Sequence, residues 1–346
     1  MRVEPRVKKI GFLSFGHWSD APGSQVRSGS DSLLQSIELA VAAEELGADG
    51  AYFRVHHFAQ QLGSPFPLLA AAGARTKRIE LGTAVIDMRY ENPLYMAEDA
   101  GAADVISGGR LQLGISRGSP EQVIDGWRYF GYAPEEGKTD ADMARRHTEV
   151  FLDVLRGNGF AKPNPRPMFP NPPGLLRLEP YAEGLRDRIW WGAGSAATAE
   201  WGAKLGMNLQ SSTLIYDETG EPLHVQQAAQ IHKFREAWKA AGHTREPRVS
   251  VSRSIFALTD DRDRAYFGRD SEAEDTIGFL GDNRRAVFGR SYAAEPDVLI
   301  EQLKADTAIA EADTLLLTVP NQLGVDYNAH VIEAILKHVA PAMGWR

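Results

Sequence analysis

The chain has 346 residues, 43% of them hydrophobic and 24% charged, with a formal net charge of −8 and no cysteine. That length suits one large α/β domain with enough chain to bury a core unaided by disulfides or metals. The acidic balance argues against a broad nucleic-acid surface, and the absence of cysteine removes disulfides, thiolate metal sites and cysteine nucleophiles.

The basic start MRVEPRVKK runs into an apolar stretch that soon meets His17, Ser19 and Asp20. Neither a signal peptide nor a membrane span is expected, so the default expectation is a cytoplasmic enzyme with no nucleic-acid or membrane partner. Short apolar runs then recur as predicted strands. They are KKIGFLSF from Lys8, GAYFRV from Gly50, RIELGTAV from Arg78 and RLQLGISR from Arg110. RIWWGA from Arg188, GMNLQSS from Gly206, RVSVSRSIFAL from Arg248 and TLLLTVP from Thr314 follow.

Helical patterns lie between them. Asp31 to Leu46 ends at Gly47, a suitable residue just past a helix, and Pro93 to Ile106 opens with proline and stops at Ser107-Gly108-Gly109. Ala141 to Leu155, Ala196 to Leu205, Val225 to Ala241, Pro296 to Ile309 and Tyr327 to Val339 read similarly. Eight strands alternating with helices imply parallel pairing through right-handed crossovers. A closed (β/α)8 TIM barrel fits the count and the size, with a doubly wound open sheet as the alternative. The expectation is one barrel domain over residues 1–346 with insertions at about 157–187, rich in proline, and about 259–295, charged and glycine-punctuated. Both are too long for plain connections and read either as surface decoration or as lids over the catalytic face.

Two short motifs invite other readings. Gly114-Ile115-Ser116-Arg117-Gly118 matches the G-x-S-x-G nucleophile elbow of hydrolases, but Ser119-Pro120-Glu121 follows where a helix should start at once. Gly192-Ala193-Gly194-Ser195-Ala196-Ala197 matches a dinucleotide fingerprint between a strand and a helix. The strand after it ends in serines, without the acidic residue a ribose needs, so a nicotinamide domain is not expected. Either Ser195 simply caps the helix, or the tight turn, the small residues and the helix start form a phosphate site with Ser195 and Thr198 as hydroxyl donors.

In a barrel, chemistry sits at the C-terminal ends of the strands. Here those ends bring His17, the pair His56-His57, Asp87, Ser116 and Arg117, the turn Gly192 to Ser195, and Ser211 and Ser212 to one face. Arg117 suits a single phosphate, as in a mononucleotide, although a strand-end arginine is also often a plain surface ion pair. Adjacent His56 and His57 point to opposite faces of a regular strand and make poor joint ligands, so no metal site is expected. One of the two histidines is expected to be structural. Phe12, Phe15 and Trp18 are candidate pocket walls, with a core role an equal reading for Phe12.

At these residues the sequence resembles the bacterial-luciferase-like flavin monooxygenase and oxidoreductase family. GADGAYFRVHHF resembles its second-strand signature, with Val55 where a glutamate is usual. IELGTAVIDMRYENPLYMAEDAGAADVISGGRLQLGISRG and GSAATAEWGAKLG resemble its third and fourth strand units and its phosphate-binding helix start. The resemblance covers residues 8 to 212 well and the C-terminal third only in rhythm.

It implies FMN bound at the C-terminal face. Arg117, Gly194, Ser195 and Thr198 would hold the phosphate, and Thr83 and Ala84 of the Gly-Thr-Ala strand would join the cofactor site. His56 would be the catalytic histidine and His57 its supporting neighbour, while Ser116 stands where luciferase has a dispensable cysteine. The implied reaction is monooxygenation of a small organic substrate by O2 with FMN reduced by a separate flavin reductase, in a homodimer paired through the early helices. An F420-dependent hydride-transfer oxidoreductase and a flavin-binding protein without turnover are the alternatives within the family. Substrate identity is not legible.

Overall fold

Each of the eight apolar runs forms a strand in the computed structural model, which describes residues 7–118, 122–269, 273–280 and 283–346. The first six are β1 (Lys9–Ser14), β2 (Gly50–Phe53), β3 (Glu80–Asp87), β4 (Leu111–Ser116), β5 (Ile189–Gly192) and β6 (Asn208–Ser211). A short β7 (Leu214–Tyr216) leaves the ring before β8 (Val249–Ala257). Three more short strands, β9 (Thr276–Leu280), β10 (Arg284–Phe288) and β11 (Ser291–Ala294), precede β12 (Thr314–Val319). Parallel pairing runs from β12 through β1 to β6, and β8 closes the ring by pairing with both β6 and β12. The result is the (β/α)8 barrel rather than a doubly wound open sheet.

The crossover helices are α1 (Gly29–Glu45), α2 (Pro65–Arg75), α3 (Pro93–Ser107), α4 (Asp140–Val154), α5 (Ala196–Lys204) and α6 (Leu223–Ala240). They are followed by α7 (Asp261–Phe267), α8 (Pro296–Lys304), α9 (Thr307–Glu311) and α10 (Gly324–Ala334). Their ends follow local chemistry. Ser28 and Asp31 form a capping box at α1, Asn92 caps α3 ahead of Pro93, and left-handed Gly108 ends α3. The predicted helix from Pro296 to Ile309 is instead two, because Asp306 caps α9 through the Ile309 N–H while its carboxylate is drawn into a buried pair with Arg253 at 2.8 Å. None of the described helices is long and apolar enough to cross a membrane.

The barrel interior is filled in layers. At the N-terminal mouth Arg248 binds Glu80 through two hydrogen bonds of 3.0 Å, Lys9 pairs with the same carboxylate, and the Arg248 guanidinium lies 4.8 Å over the Trp190 ring. Above them Trp190 donates to Gln112 at 2.8 Å, and the Tyr52 ring crosses the interior. Gly82 permits this, since a Cβ there would sit 2.6 Å from the Tyr52 ring. Toward the C-terminal end the β3–β4 register slips between Thr83 and Ile86, and the Ala84–Val85 peptide is cis.

The two long segments differ. Residues 157–187 contribute one isolated bridge, Ala161 with Leu176, and the cis peptide before Pro180. Residues 259–295 contribute α7, β9, β10 and β11. β10 pairs antiparallel with both β9 and β7, so a small three-stranded sheet stands beside the barrel mouth.

Candidate functional site

The C-terminal strand ends open into a cavity of about 320 Å³, a size suited to a cofactor-sized ligand. Leu13, Phe15, Val55, Val85 and Trp191 give it apolar walls, and Leu280 of the small sheet reaches its lining. Insertion 259–295 therefore contributes to the cavity through β9 and β10, whereas no residue of 157–187 lines it.

One corner gathers hydroxyls, a helix start and guanidinium groups, the chemistry that suits an anion. Ser195 N-caps α5 and shares a capping box with Thr198, their hydroxyls lying 3.2 Å apart, so both hydroxyls and the helix start face one spot. Arg117 follows β4 into the same cavity. Gly118 must be glycine for two reasons: its φ is +92°, and a Cβ there would sit 1.9 Å from the Asp87 carboxylate. Arg145 on α4 and Arg284 on β10 also line the cavity. Arg284 stacks 3.6 Å over the Tyr216 ring, and Tyr216 in turn packs against Gly194. Among the described residues, Arg117, Arg145 and Arg284 form no ion pair.

The other corner carries the histidine. His56 lines the cavity, half-buried, just beyond β2. His57 does not reach it: its ring stacks on Tyr90 at 4.3 Å and meets Phe130 edge-on at 4.9 Å. The neighbours diverge in the bend that follows β2, His56 toward the cavity and His57 toward Tyr90 and Phe130. Beside them Arg54 lies 4.8 Å over Phe15. Burial, together with the charges of Arg54 and His56, holds the His17 imidazole below its ordinary range.

Of the residues singled out in the sequence, Ala84, Arg117, Gly194, Ser195 and Thr198 join His56 in the cavity wall. Thr83 does not. It is fully buried beneath the wall, its hydroxyl donates to the Gly114 carbonyl at 2.8 Å, and its own carbonyl accepts from Gln210 at 3.1 Å. Phe15 lines the cavity, Phe12 belongs to the core, and Trp18 lies against Gly29 at the start of α1. Ser116 Oγ accepts the Gly118 N–H at 2.8 Å, and no histidine bonds it among the described residues, so the hydrolase reading lacks its base. Ser119, Pro120 and Glu121 of that motif lie outside the described residues. Asp87 faces the cavity, but its oxygens are held by Arg89 Nε and Nη2 at 2.6–3.0 Å, and Arg89 reaches on to Asp140 at 2.9 Å. Arg145, Arg284 and Tyr216 are additions that reading strand ends alone misses, since they sit on a helix and on the small sheet.

The model of the luciferase-like monooxygenase family matches residues 9–312. The chain belongs to that family. Among curated members it is similar to the alkanal monooxygenase alpha chain of Photorhabdus laumondii, 28% identical over 225 residues. That match spans 62% of this chain and 56% of the relative, so the chain covers little more than half of that relative's length. Two proteins of known structure share its fold. The oxygenating constituent of 3,6-diketocamphane monooxygenase from the CAM plasmid of Pseudomonas putida, in complex with FMN, superposes with a TM-score of 0.66 at 19% identity, covering 96% of this chain and 98% of that one. The coenzyme F420 dependent tetrahydromethanopterin reductase of Methanopyrus kandleri gives 0.64 at 15% identity, covering 98% and 99%. As a luciferase-like barrel, the chain presents a donor set that fits a phosphate monoester: one strand-end guanidinium, two hydroxyls and a helix N-terminus.

Proposed function

We propose that the chain is a luciferase-like oxidoreductase that binds FMN and uses its reduced form with O2 to oxygenate a small organic substrate, the reduced flavin coming from a separate reductase. The observation that carries this reading is the convergence of Arg117, Ser195, Thr198 and the α5 N-terminus on one corner of an apolar-walled cavity whose other corner holds His56. When bound, the flavin supplies the redox chemistry with oxygen.

The chain's own part is threefold. The phosphate corner fixes the cofactor by its tail. The apolar wall of Leu13, Phe15, Val55, Val85 and Trp191 keeps water from the reacting end. His56 holds or accepts a proton there, a task an imidazole performs near neutral pH.

A second reading has one specific observation behind it. Arg145 and Arg284 add two further cations at the cavity rim, which suits a cofactor with a longer anionic tail such as F420. Extraction of the cofactor from purified protein, followed by absorbance and mass, separates the two: FMN supports the first reading, a deazaflavin the second, and no isoalloxazine-type compound, with no binding of added FMN, rejects both.

The homodimer belongs to the same proposal. Leu94, Tyr95, Val105 and Ile106 on α3 are exposed, an apolar face consistent with pairing through the early helices. Sedimentation at micromolar concentration is expected to give twice the chain mass, and a monomer there rejects it.

A further inference from the structure

The helix start at the anion corner already holds a carboxylate, from Glu218, which does not itself line the cavity. Glu218 Oε1 accepts the Ala196 N–H at the first turn of α5, at 3.4 Å. This is the helix start that Ser195 and Thr198 flank, where the proposed function seats the cofactor phosphate. The side chain is not there by chance of a wandering loop. Asp217 accepts the Gly220 N–H at 2.7 Å, the Thr219 N–H at 3.3 Å and the Gln226 side chain at 2.9 Å, and it pairs with Arg285 at 2.7 Å. Gln226 in turn accepts the Glu218 N–H at 3.1 Å. Two residues before Glu218, the Tyr216 N–H donates to the Gly194 carbonyl at 2.8 Å, which ties the turn to the loop that carries Ser195.

A helix N-terminus attracts a carboxylate for the same reason that it attracts a phosphate. Two anions cannot share that spot without repulsion, so binding a phosphate monoester requires Glu218 to give up the Ala196 N–H or to sit beside the phosphate at a cost. We propose that Glu218 is a built-in competitor for the cofactor phosphate, weakening its hold so that the flavin exchanges rather than staying permanently bound. The inference rests on the proposed function only in naming the flavin; the competition concerns any phosphate at this corner. It also fits that reading's logic. A flavin reduced elsewhere has to arrive, react and leave, and a site with Arg117, Arg145, Arg284 and a free helix end would otherwise tend to retain it.

The test compares the wild-type chain with Glu218→Gln and Glu218→Ala in titrations with FMN, riboflavin and inorganic phosphate. Glu218 is exposed, so both variants are expected to fold, and equal thermal midpoints verify this. The expected result is that both variants bind FMN and inorganic phosphate about two- to fivefold more tightly, the range one exposed charge at a helix N-terminus commands, with riboflavin affinity unchanged. FMN dissociation slows by the same factor. If neither FMN nor phosphate binds more tightly in either variant, the proposal is overturned. If riboflavin tightens as much as FMN, it is overturned too, since the effect then does not act through the phosphate. If wild type and variants bind no flavin but phosphate tightens in the variants, the competition stands and the flavin reading falls.

Discussion

The two mouths of the barrel use arginine in opposite ways. At the N-terminal mouth Arg248 is consumed by the protein: Glu80 takes it with two hydrogen bonds, Trp190 lies under its guanidinium, and Lys9 completes the network. Burial pushes the Glu80 carboxyl up, but Arg248 and Lys9 outweigh it and hold the group below the usual carboxylate range. At the C-terminal mouth Arg117, Arg145 and Arg284 line a cavity and have no ion-pair partner among the described residues. Charges that satisfy one another hold a fold together. Charges gathered in a cavity are available to an incoming anion, and in the function proposed above the division between the two uses falls along the barrel axis.

If the division is real, function and stability are separable by end. The largest effect is expected at the C-terminal mouth. His56→Ala should leave the fold and cofactor binding nearly intact and lower turnover roughly 10²–10⁴-fold, read as oxygen consumption with chemically reduced FMN and an accepted substrate. His57→Ala should instead lower the thermal midpoint, because its ring is packed between Tyr90 and Phe130. A dead but well-folded His57 variant beside an active His56 variant would reverse the assignment.

At the N-terminal mouth the order inverts. Glu80→Ala leaves Arg248 to Thr314 and the more distant Asp313 and should cost about 2 kcal/mol of stability in denaturant unfolding, less than breaking a fully buried pair because both side chains are part-exposed, with cofactor affinity unchanged. A stability loss below about 1 kcal/mol would mean that solvent already screens the pair.

A smaller effect tests the loop between β3 and α3. Burial, with the charges of Asp87 and Asp99, pushes the Glu91 carboxyl up to about 7. A carboxyl raised on folding contributes stability that is fully present below its unfolded pKa, about 4.3, and lost as pH rises through about 7. Glu91→Gln should therefore gain on wild type between pH 5 and pH 8, by on the order of 1 kcal/mol once solvent screening is allowed for. A difference that is flat across that range would place Glu91 in water.

Much of this was legible in the sequence, and the misses have physical causes. The strand runs were plain because parallel strands buried on both faces read as near-continuous apolar segments. That Arg117, His56 and Ser195 line one cavity was legible because a barrel opens its cavity at the C-terminal strand ends. Thr83 was misplaced because the alternation of side chains turns its hydroxyl onto Gly114, inside the wall, while Ala84 reaches the cavity. The helix Pro65–Arg75 escaped notice: Pro-Phe-Pro at its start reads as a turn, and its alanines carry little periodicity. β9 and β10 were hidden in a charged stretch, with Phe279 and Ile277 exposed, so no burial pattern marked them. With them Arg284 was missed, and Arg145, on the helix α4, lay outside any list of strand ends.

The central claim is that the C-terminal arginines await a phosphate. It is tested most directly by titrating the wild-type chain and Arg117→Ala with FMN and with riboflavin, which differ only in that group. FMN should bind the wild type at least about tenfold more tightly than riboflavin, and Arg117→Ala should remove most of that difference while leaving the thermal midpoint unchanged, a loss of about 1.5–3 kcal/mol. Equal affinity of the wild type for the two flavins, or an Arg117→Ala variant that still prefers FMN as strongly, would contradict it.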